Sequence, residues 1–275
     1  MTQFLRPLAA VFLCLFTVGA ASAASDSPVL DRVLETRTVR VGMSASQPPF
    51  AVRDRDGRLM GFEVDLARTL AKGMQVKLEI VEKPFGELMG ALDSGEIDIV
   101  MSGLAITPER ARKARFVGPY LLSGKSILTS SDRLAQAGEA GEINQSDVRL
   151  AALANSTSQT FVERNLPDAK LVIVARYDEA VTMLREQKID ALVADMPVCV
   201  VTMLSNPDDN FATLRAPLTV EPVGMAVSAA DPRFADLLEN YVDAIESTGI
   251  LDRMRERWLE DGAWLARLPQ AAPAQ

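Results

Sequence analysis

Two segments of the chain share one pattern, and this repeat constrains the fold more than any other feature of the sequence. Residues 84–103, PFGELMGALDSGEIDIVMSG, align without a gap on residues 176–195, RYDEAVTMLREQKIDALVAD. Each copy begins with an aromatic residue near its start and continues as an amphipathic helix, a polar turn, an Ile-Asp pair and a short apolar strand. A weaker similarity relates residues 39–46 to residues 148–158. Each half of the chain therefore predicts a strand, a loop, a helix and a second strand.

Strands connected in this way are usually parallel, so the sequence predicts two similar α/β lobes. In open parallel sheets, ligands bind beyond the carboxyl ends of the strands, where loops lead into helices. Four groups of residues follow predicted strands and are expected in one region if the lobes face each other: Ser44, residues 102–110, residues 155–158 and Asp195.

Two side chains in this region suit the two ends of an α-amino acid. Arg110 offers a planar guanidinium to a carboxylate, and Asp195 offers carboxylate oxygens to an ammonium group. Each residue also has a purely structural interpretation. Thr107 and Pro108 favour the start of a helix whose basic residues are simply solvated, and Asp195 followed by Pro197 suits a helix N-terminus.

Two further candidates also keep two interpretations. Phe85 suits either the hydrophobic core or the wall of a ligand site. Ser156 opens the sequence Ser156-Thr157-Ser158. These hydroxyl residues can cap a helix, or the N-terminus of that helix can hold a ligand carboxylate.

Composition restricts the class of protein. Residues 1–23 have the features of a signal peptide, with a short apolar run and a small-residue cleavage site, so we expect export to the periplasm. Removal of this segment takes Cys14 and leaves Cys199 alone, so no intrachain disulfide is expected. The net charge of −8 argues against nucleic acid or an anionic membrane as a partner. The chain has no histidine, and we expect no metal, no cofactor and no catalytic residue.

Six motifs resemble, in order and spacing, those of the extracytoplasmic solute-binding proteins of polar amino-acid ABC transporters. They are VRVGMSASQPPF, GRLMGFEVDLARTLAKGM, ALDSGEIDIVMSGLAITPERARKARFVGPY, KIDALVADMPV, PLTVEPVGMAV and GILDRMRERW, and they extend from about Thr38 to Trp258. The resemblance implies a type II periplasmic-binding-protein fold, in which two α/β lobes joined by a two-strand hinge close on a ligand. Together with the internal repeat, it divides the chain into lobe 1 (residues 38–122 and 221–258) and lobe 2 (residues 123–220).

The resemblance also implies roles for individual residues. In the motif SGLAITPER, it implies that Arg110 holds the ligand carboxylate with help from the backbone near Ser102 and Gly103. The aspartate of the DxP motif falls on Asp195, which implies a contact with the ligand α-amino group. The aromatic residue before GELMGAL falls on Phe85 and implies packing against the ligand side chain. The other cations of this helix are expected to stay on the surface: Arg112, Lys113 and Arg115.

Several positions depart from the family pattern. Ser44 and Gln47 stand where an aspartate and a tyrosine are common, so a cationic ligand side chain loses a partner and an aromatic lid is missing. Ala105 replaces a hydroxyl residue, Asn155 replaces a glycine, and Ser156 replaces a threonine. These differences leave open which amino acid or analogue is bound.

The function implied by the resemblance is binding of a small amino-acid-like solute by a monomer, and its delivery to an ABC transporter permease, without enzyme activity. Two alternatives remain open: a secreted enzyme on the same scaffold, of the cyclohexadienyl dehydratase type, and a receptor for a membrane sensor. The chain after Trp258, including residues 268–275, is expected to form a disordered tail without a role in binding, because its Pro, Gln and Ala content lacks periodicity.

Overall fold

The computed structural model describes residues 27–269, and helices and strands are interspersed along this part of the chain. The strands β1 to β13 are, in chain order, Thr38–Met43, Ser46–Gln47, Ala51–Arg53, Leu59–Met60, Lys77–Glu82, Ile99–Val100, Ala114–Ser123, Lys125–Thr129, Arg149–Leu153, Lys170–Val174, Ala191–Asp195, Ala212–Thr213 and Glu221–Ser228. The helices α1 to α11 are Pro28–Thr36, Phe62–Gly73, Leu88–Asp93, Pro108–Ala111, Asp132–Ala135, Ala140–Ile143, Thr157–Asn165, Tyr177–Arg185, Met196–Ser205, Pro232–Ser247 and Ile250–Arg255. None of the helices in this part of the chain is both long and apolar enough to cross a membrane. The predicted signal peptide, residues 1–23, lies outside the described residues.

Two five-stranded sheets organise the molecule. The first has the order β5-β1-β6-β13-β7 and the second has the order β10-β9-β11-β8-β12, while β2, β3 and β4 form a small third sheet. In the first sheet β1 is parallel to β5 and β6, and β13 is antiparallel to its neighbours. In the second sheet β9 is parallel to β10 and β11, and β8 is antiparallel to β11. We call each five-stranded sheet with its helices lobe 1 and lobe 2, and the predicted two-lobe α/β class is confirmed.

The two copies of the sequence repeat fold alike in the two lobes. In lobe 1 the repeat forms α3 and then β6, which pairs in parallel with β1. In lobe 2 it forms α8 and then β11, which pairs in parallel with β9. The helix, turn and strand predicted for each copy are therefore confirmed.

Apolar residues form a core in each lobe and a further cluster between the lobes. In lobe 1, Phe62, Leu66 and Leu70 follow one another at intervals of four residues along α2 and are fully buried. The cluster between the lobes includes Phe50 of lobe 1 and Leu153 of lobe 2. The lobes are thus in contact, with their strand ends facing a closed cleft.

The chain crosses between the lobes twice, and the two crossings lie side by side. The first crossing runs from β7 through Gly124 into β8, and the second leads from Leu218 into β13. The Leu218 N–H donates to the Lys125 carbonyl at 2.7 Å, and Glu221 pairs with Ser123. These paired crossings form the two-strand hinge that the fold requires.

The C-terminal segment differs from its prediction. Gly262–Arg267 forms a 3-10 helix, and Trp264 packs against Trp258 with ring centroids 5.1 Å apart. Leu268 is also buried in the core of lobe 1. The expectation of disorder directly after Trp258 is therefore wrong, because two isolated apolar residues anchor the segment without producing a periodic pattern. Residues 270–275 lie outside the described part of the chain, and the lobe bounds inferred from the sequence stay a prediction.

Candidate functional site

Arg110 turns into the cleft between the lobes. It belongs to the short helix α4, where the Thr107 hydroxyl accepts the Arg110 backbone N–H at 3.2 Å and so forms the predicted cap. Its guanidinium donates to the Ala105 carbonyl of lobe 1 at 2.9 Å and to the Asn155 carbonyl of lobe 2 at 3.1 Å. Burial lowers the pKa of Arg110, while Glu221 and Asp195 oppose this shift. Arg110 is therefore a fixed cation inside the cleft, whereas the neighbouring Arg112 is exposed.

Ser102 and Gly103, the donors expected beside Arg110, form hydrogen bonds with other groups of lobe 1. The Gly103 N–H points at both carboxylate oxygens of Glu63, at 2.9 and 2.8 Å. The Ser102 hydroxyl donates to the Gln47 side chain and accepts the Ser44 N–H at 3.0 Å. Gly103 has φ +58, a left-handed conformation that favours glycine. Ser102 and Gly103 thus shape the loop next to Arg110, but these donors contact protein groups rather than open space.

Glu63 is a residue of this region that the sequence interpretation missed. Its carboxyl group is fully buried and also accepts a hydrogen bond from the Tyr120 hydroxyl. Burial raises the pKa of Glu63 to about 7, although the hydrogen bonds from Tyr120 and Gly103 act in the opposite direction. The motif GFEVDLA contains Glu63, but it gives no sign that this side chain reaches the loop at Gly103 40 residues later.

Phe85 and Ser156 each make contacts within the protein. Phe85 belongs to the apolar cluster between the lobes, and its ring also lies beneath the Arg110 guanidinium at 5.7 Å. Ser156 caps α7 by accepting the Gln159 N–H at 3.1 Å, and its hydroxyl donates to the Leu153 carbonyl at 2.7 Å. The Ser156 hydroxyl therefore already donates one hydrogen bond and accepts another within lobe 2.

Asn155 explains one departure from the family pattern. Its φ of 57 lies in the left-handed region, where asparagine is the best substitute for glycine. The Asn155 side chain also donates to the Gly86 carbonyl of lobe 1 at 3.3 Å. Asparagine therefore keeps the backbone conformation of a glycine and adds a contact between the lobes.

Asp195 belongs to a buried cluster of charges where lobe 2 meets the hinge. It occupies the N-cap position of α9, but its carboxylate makes no capping hydrogen bond. Instead, Asp195 Oδ1 accepts from Lys125 Nζ at 2.7 Å, and Lys125 Nζ also lies 3.0 Å from Glu221 Oε2. Lys125 and Glu221 were not among the residues expected from the sequence, because both lie on the hinge strands rather than after a predicted strand end.

Tyr177 completes the cleft from lobe 2. The sequence repeat aligns Tyr177 with Phe85, and this was the one signal that could have identified it. Its ring is buried among the residues between the lobes, and its hydroxyl faces the Gln47 side chain of lobe 1. Burial raises the pKa of Tyr177 well above its usual value, so the hydroxyl is a neutral hydrogen-bonding group.

A crevice of about 620 Å³ leads into this region from one side. Phe85, Leu104 and Arg110 line it from lobe 1, and Asn155 and Thr157 line it from lobe 2.

Within residues 27–269, no group of His, Cys, Asp or Glu side chains is arranged to hold a metal ion. Cys199 is a free, buried thiol in α9, where burial raises its pKa to about 12. The site thus combines the charges of Arg110, Lys125 and Asp195 with neutral hydrogen-bonding groups and with Glu63, whose pKa is about 7.

Two α/β lobes, two adjacent hinge strands and opposite charges facing one cleft define a two-lobe solute-binding protein. Residues 39–261 match the bacterial extracellular solute-binding proteins, family 3, and the chain belongs to this family.

Its relatives include both binding proteins and an enzyme. The chain is similar to cyclohexadienyl dehydratase of Pseudomonas aeruginosa, with 28% identity over 94% of this chain and 97% of the relative. It is also similar to ABC transporter arginine-binding protein 1 of Escherichia coli, with 26% identity over 90% of this chain and 96% of the relative. Among solved structures, it resembles an ancestral amino-acid-binding protein described as a precursor of cyclohexadienyl dehydratase. That match has a TM-score of 0.76 and 32% identity, and it covers 85% of this chain and 100% of the other.

Proposed function

We propose that this protein binds a small α-amino acid, or a close analogue, outside the cytoplasm and delivers it to an ABC transporter permease. The predicted signal peptide and the family membership support a periplasmic location for a monomeric mature chain. Closure of the lobes on the ligand creates the form that the permease recognises. A membrane sensor that recognises the same closed form is the alternative partner.

The proposal rests on one observation: Arg110 and Asp195 belong to opposite lobes and are close enough for their charges to interact across the boundary between the lobes. A zwitterion has a carboxylate for the guanidinium and an ammonium for the aspartate. A ligand with both groups contacts both lobes only when they are closed, so its binding favours the closed form.

Substitution of these two residues tests the proposal by calorimetry, with amino acids, 2-oxo acids and dicarboxylates as the panel. Loss of one partner of a buried ion pair costs about 3–5 kcal/mol, so Arg110→Ala and Asp195→Asn should each weaken binding by a factor of about a hundred or more. The control is Arg112→Ala, an exposed arginine next to the same helix, which should bind normally. Normal binding by Arg110→Ala together with lost binding by Arg112→Ala would refute the assignment.

An enzyme related to cyclohexadienyl dehydratase is the second candidate, because similarity to that enzyme covers almost the entire chain. A dehydration needs a group that protonates the departing hydroxyl. The cleft carboxylates Asp195 and Glu221 lie 2.7 and 3.0 Å from Lys125 Nζ, so both are already held by a cation of the protein. Incubation with a prephenate-like cyclohexadiene carboxylate, followed by product analysis, separates the candidates: conversion of the substrate would establish the enzyme, and unchanged substrate supports the binding protein.

A further inference from the structure

The charge cluster at the hinge joins three parts of the molecule. Lys125 begins the first crossing into lobe 2, Asp195 ends β11 of lobe 2, and Glu221 begins the return crossing into lobe 1. The Lys125 side chain is only 2% exposed, and the Asp195 side chain is 9% exposed. Such buried charges are expensive unless neighbouring groups neutralise them, so the net charge of the cluster limits what can bind beside it.

The hydrogen bonds of the cluster leave one acceptor open. Glu221 Oε2 accepts from the Thr157 hydroxyl at 2.8 Å as well as from Lys125, and Glu221 Oε1 accepts from the Thr219 hydroxyl at 3.2 Å. Asp195 Oδ1 accepts from Lys125, whereas Asp195 Oδ2 accepts no hydrogen bond from any group within residues 27–269. Asp195 Oδ2 is therefore the free acceptor of the cluster.

The charges of the cluster do not cancel. Burial disfavours the Lys125 ammonium, but Asp195 and Glu221 together outweigh this effect and raise the pKa of Lys125, so it is a cation. One ammonium with two carboxylates leaves one negative charge. Arg110 on the other side of the cleft contributes one positive charge and interacts electrostatically with both carboxylates. The cleft thus presents one unmatched negative charge and one unmatched positive charge.

We propose that Lys125 and Glu221 are specificity-determining residues that restrict the site to α-amino acids with uncharged side chains. This inference rests on the proposed function. The α-ammonium group neutralises the net negative charge of the hinge cluster, and the α-carboxylate neutralises the positive charge of Arg110. A charged ligand side chain then has no buried partner, because the neutral Ser44 hydroxyl is bonded to the Ser46 hydroxyl and the neutral Gln47 side chain is bonded to Ser102. A 2-oxo acid is also excluded from the site. It has no ammonium group, so the negative charge of the hinge cluster stays without a neutralising cation.

Two substitutions change the charge of the cluster in opposite directions. Lys125→Met makes the cluster doubly negative, and it should raise the affinity for arginine relative to glutamine by at least about tenfold. Glu221→Gln makes the cluster neutral, and it should raise the affinity for a 2-oxo acid relative to the corresponding amino acid by a similar factor. The matched control is Lys83→Met. Lys83 Nζ pairs with Glu96 Oε1 at a distance of 2.9 Å, and this pair does not belong to the hinge cluster.

Calorimetry at pH 6 on the mature wild type and these variants measures the ratios, with glutamine, arginine, glutamate and 2-oxoglutaramate as the panel. The low pH keeps most of the Glu63 carboxyl neutral, so that its charge does not enter the balance. A variant that only loosens the fold weakens all ligands alike and leaves the ratios unchanged, and unchanged ratios would overturn the inference. Equal or tighter binding of arginine or glutamate than glutamine by wild type would also overturn it while leaving the proposed function intact. If wild type binds no amino acid in the panel, the proposed function fails as well.

Discussion

Glu63 shows how one buried residue links the ligand site to pH. Its carboxyl group joins the first turn of α2 to the loop at Gly103 and to Tyr120 on β7. The backbone and phenolic donors favour its ionised form, while burial favours its neutral form and is the larger effect. Asp195, the charged group of the cleft that acts on Glu63, also favours the neutral form. Glu63 is thus a positioning residue whose charge changes near neutral pH.

The raised pKa predicts how stability varies with pH. The folded-state value of about 7 lies above the ordinary value of 4.5, so the contribution of Glu63 is fully present below pH 4.5 and is lost as the pH rises through 7. A shift of this size corresponds to about 3 kcal/mol. Glu63→Gln keeps an acceptor for Gly103 but cannot ionise, so the variant should gain stability relative to wild type between pH 5 and pH 8.

Denaturant unfolding at several pH values measures this difference. The exposed residue Glu79 on β5 provides the matched control variant Glu79→Gln. Parallel stability curves for wild type and Glu63→Gln would show that Glu63 does not titrate in this range.

At the scale of elements, the sequence predicts what depends on neighbours along the chain. The Thr107 cap lies three residues before its partner, and the helices and strands of the repeat follow from local apolar spacing. The pair formed by Lys125 and Asp195 joins residues 70 positions apart. No periodicity or motif specifies such a pair, because it exists only after the two crossings place β8 beside β11. Arg110 and Asp195 were therefore candidates from the sequence, whereas Lys125 and Glu221 had to come from the structure.

The turn before α3 lies against lobe 2 in this structure. A Cβ atom on Gly86 would lie 3.0 Å from Asn155 Nδ2 and 3.2 Å from the Ala154 carbonyl oxygen, both in lobe 2. Gly86→Ala should therefore disfavour the closed form and weaken ligand binding by a factor of roughly three to ten, which is about 1 kcal/mol. The thermal stability of the unliganded protein should change little, since the clash disappears when the lobes separate.

Gly90→Ala on α3 is the control for this prediction, because a Cβ atom there meets nothing within 4 Å. Calorimetry and thermal unfolding of both variants distinguish the cases. If Gly86→Ala binds as tightly as Gly90→Ala, the bound form does not bring these two segments together.

At the scale of the whole molecule, the C-terminal segment packs against both lobes. The 3-10 helix Gly262–Arg267 packs on lobe 1 through Trp264 and contacts α9 of lobe 2. Arg267 pairs with the buried Asp54 at 2.7 Å, and this pairing lowers the pKa of Asp54. Leu268 shares the lobe 1 cluster with Val201 of α9. The segment therefore contacts both lobes.

Two truncations separate the anchoring residues from those that follow them. A chain that ends at Leu268 keeps every described contact of the segment, so its ligand affinity and melting temperature should match those of wild type. A chain that ends at Asp261 loses the burial of Trp264 and Leu268, which is worth about 3–5 kcal/mol for the tryptophan alone, and its melting temperature should fall by roughly 10 °C. It also loses the contact with α9, so small-angle scattering should show a larger radius of gyration in the presence of ligand than for wild type. Equal scattering curves for the two truncated chains would mean that the segment stabilises lobe 1 alone and does not help to hold the lobes closed.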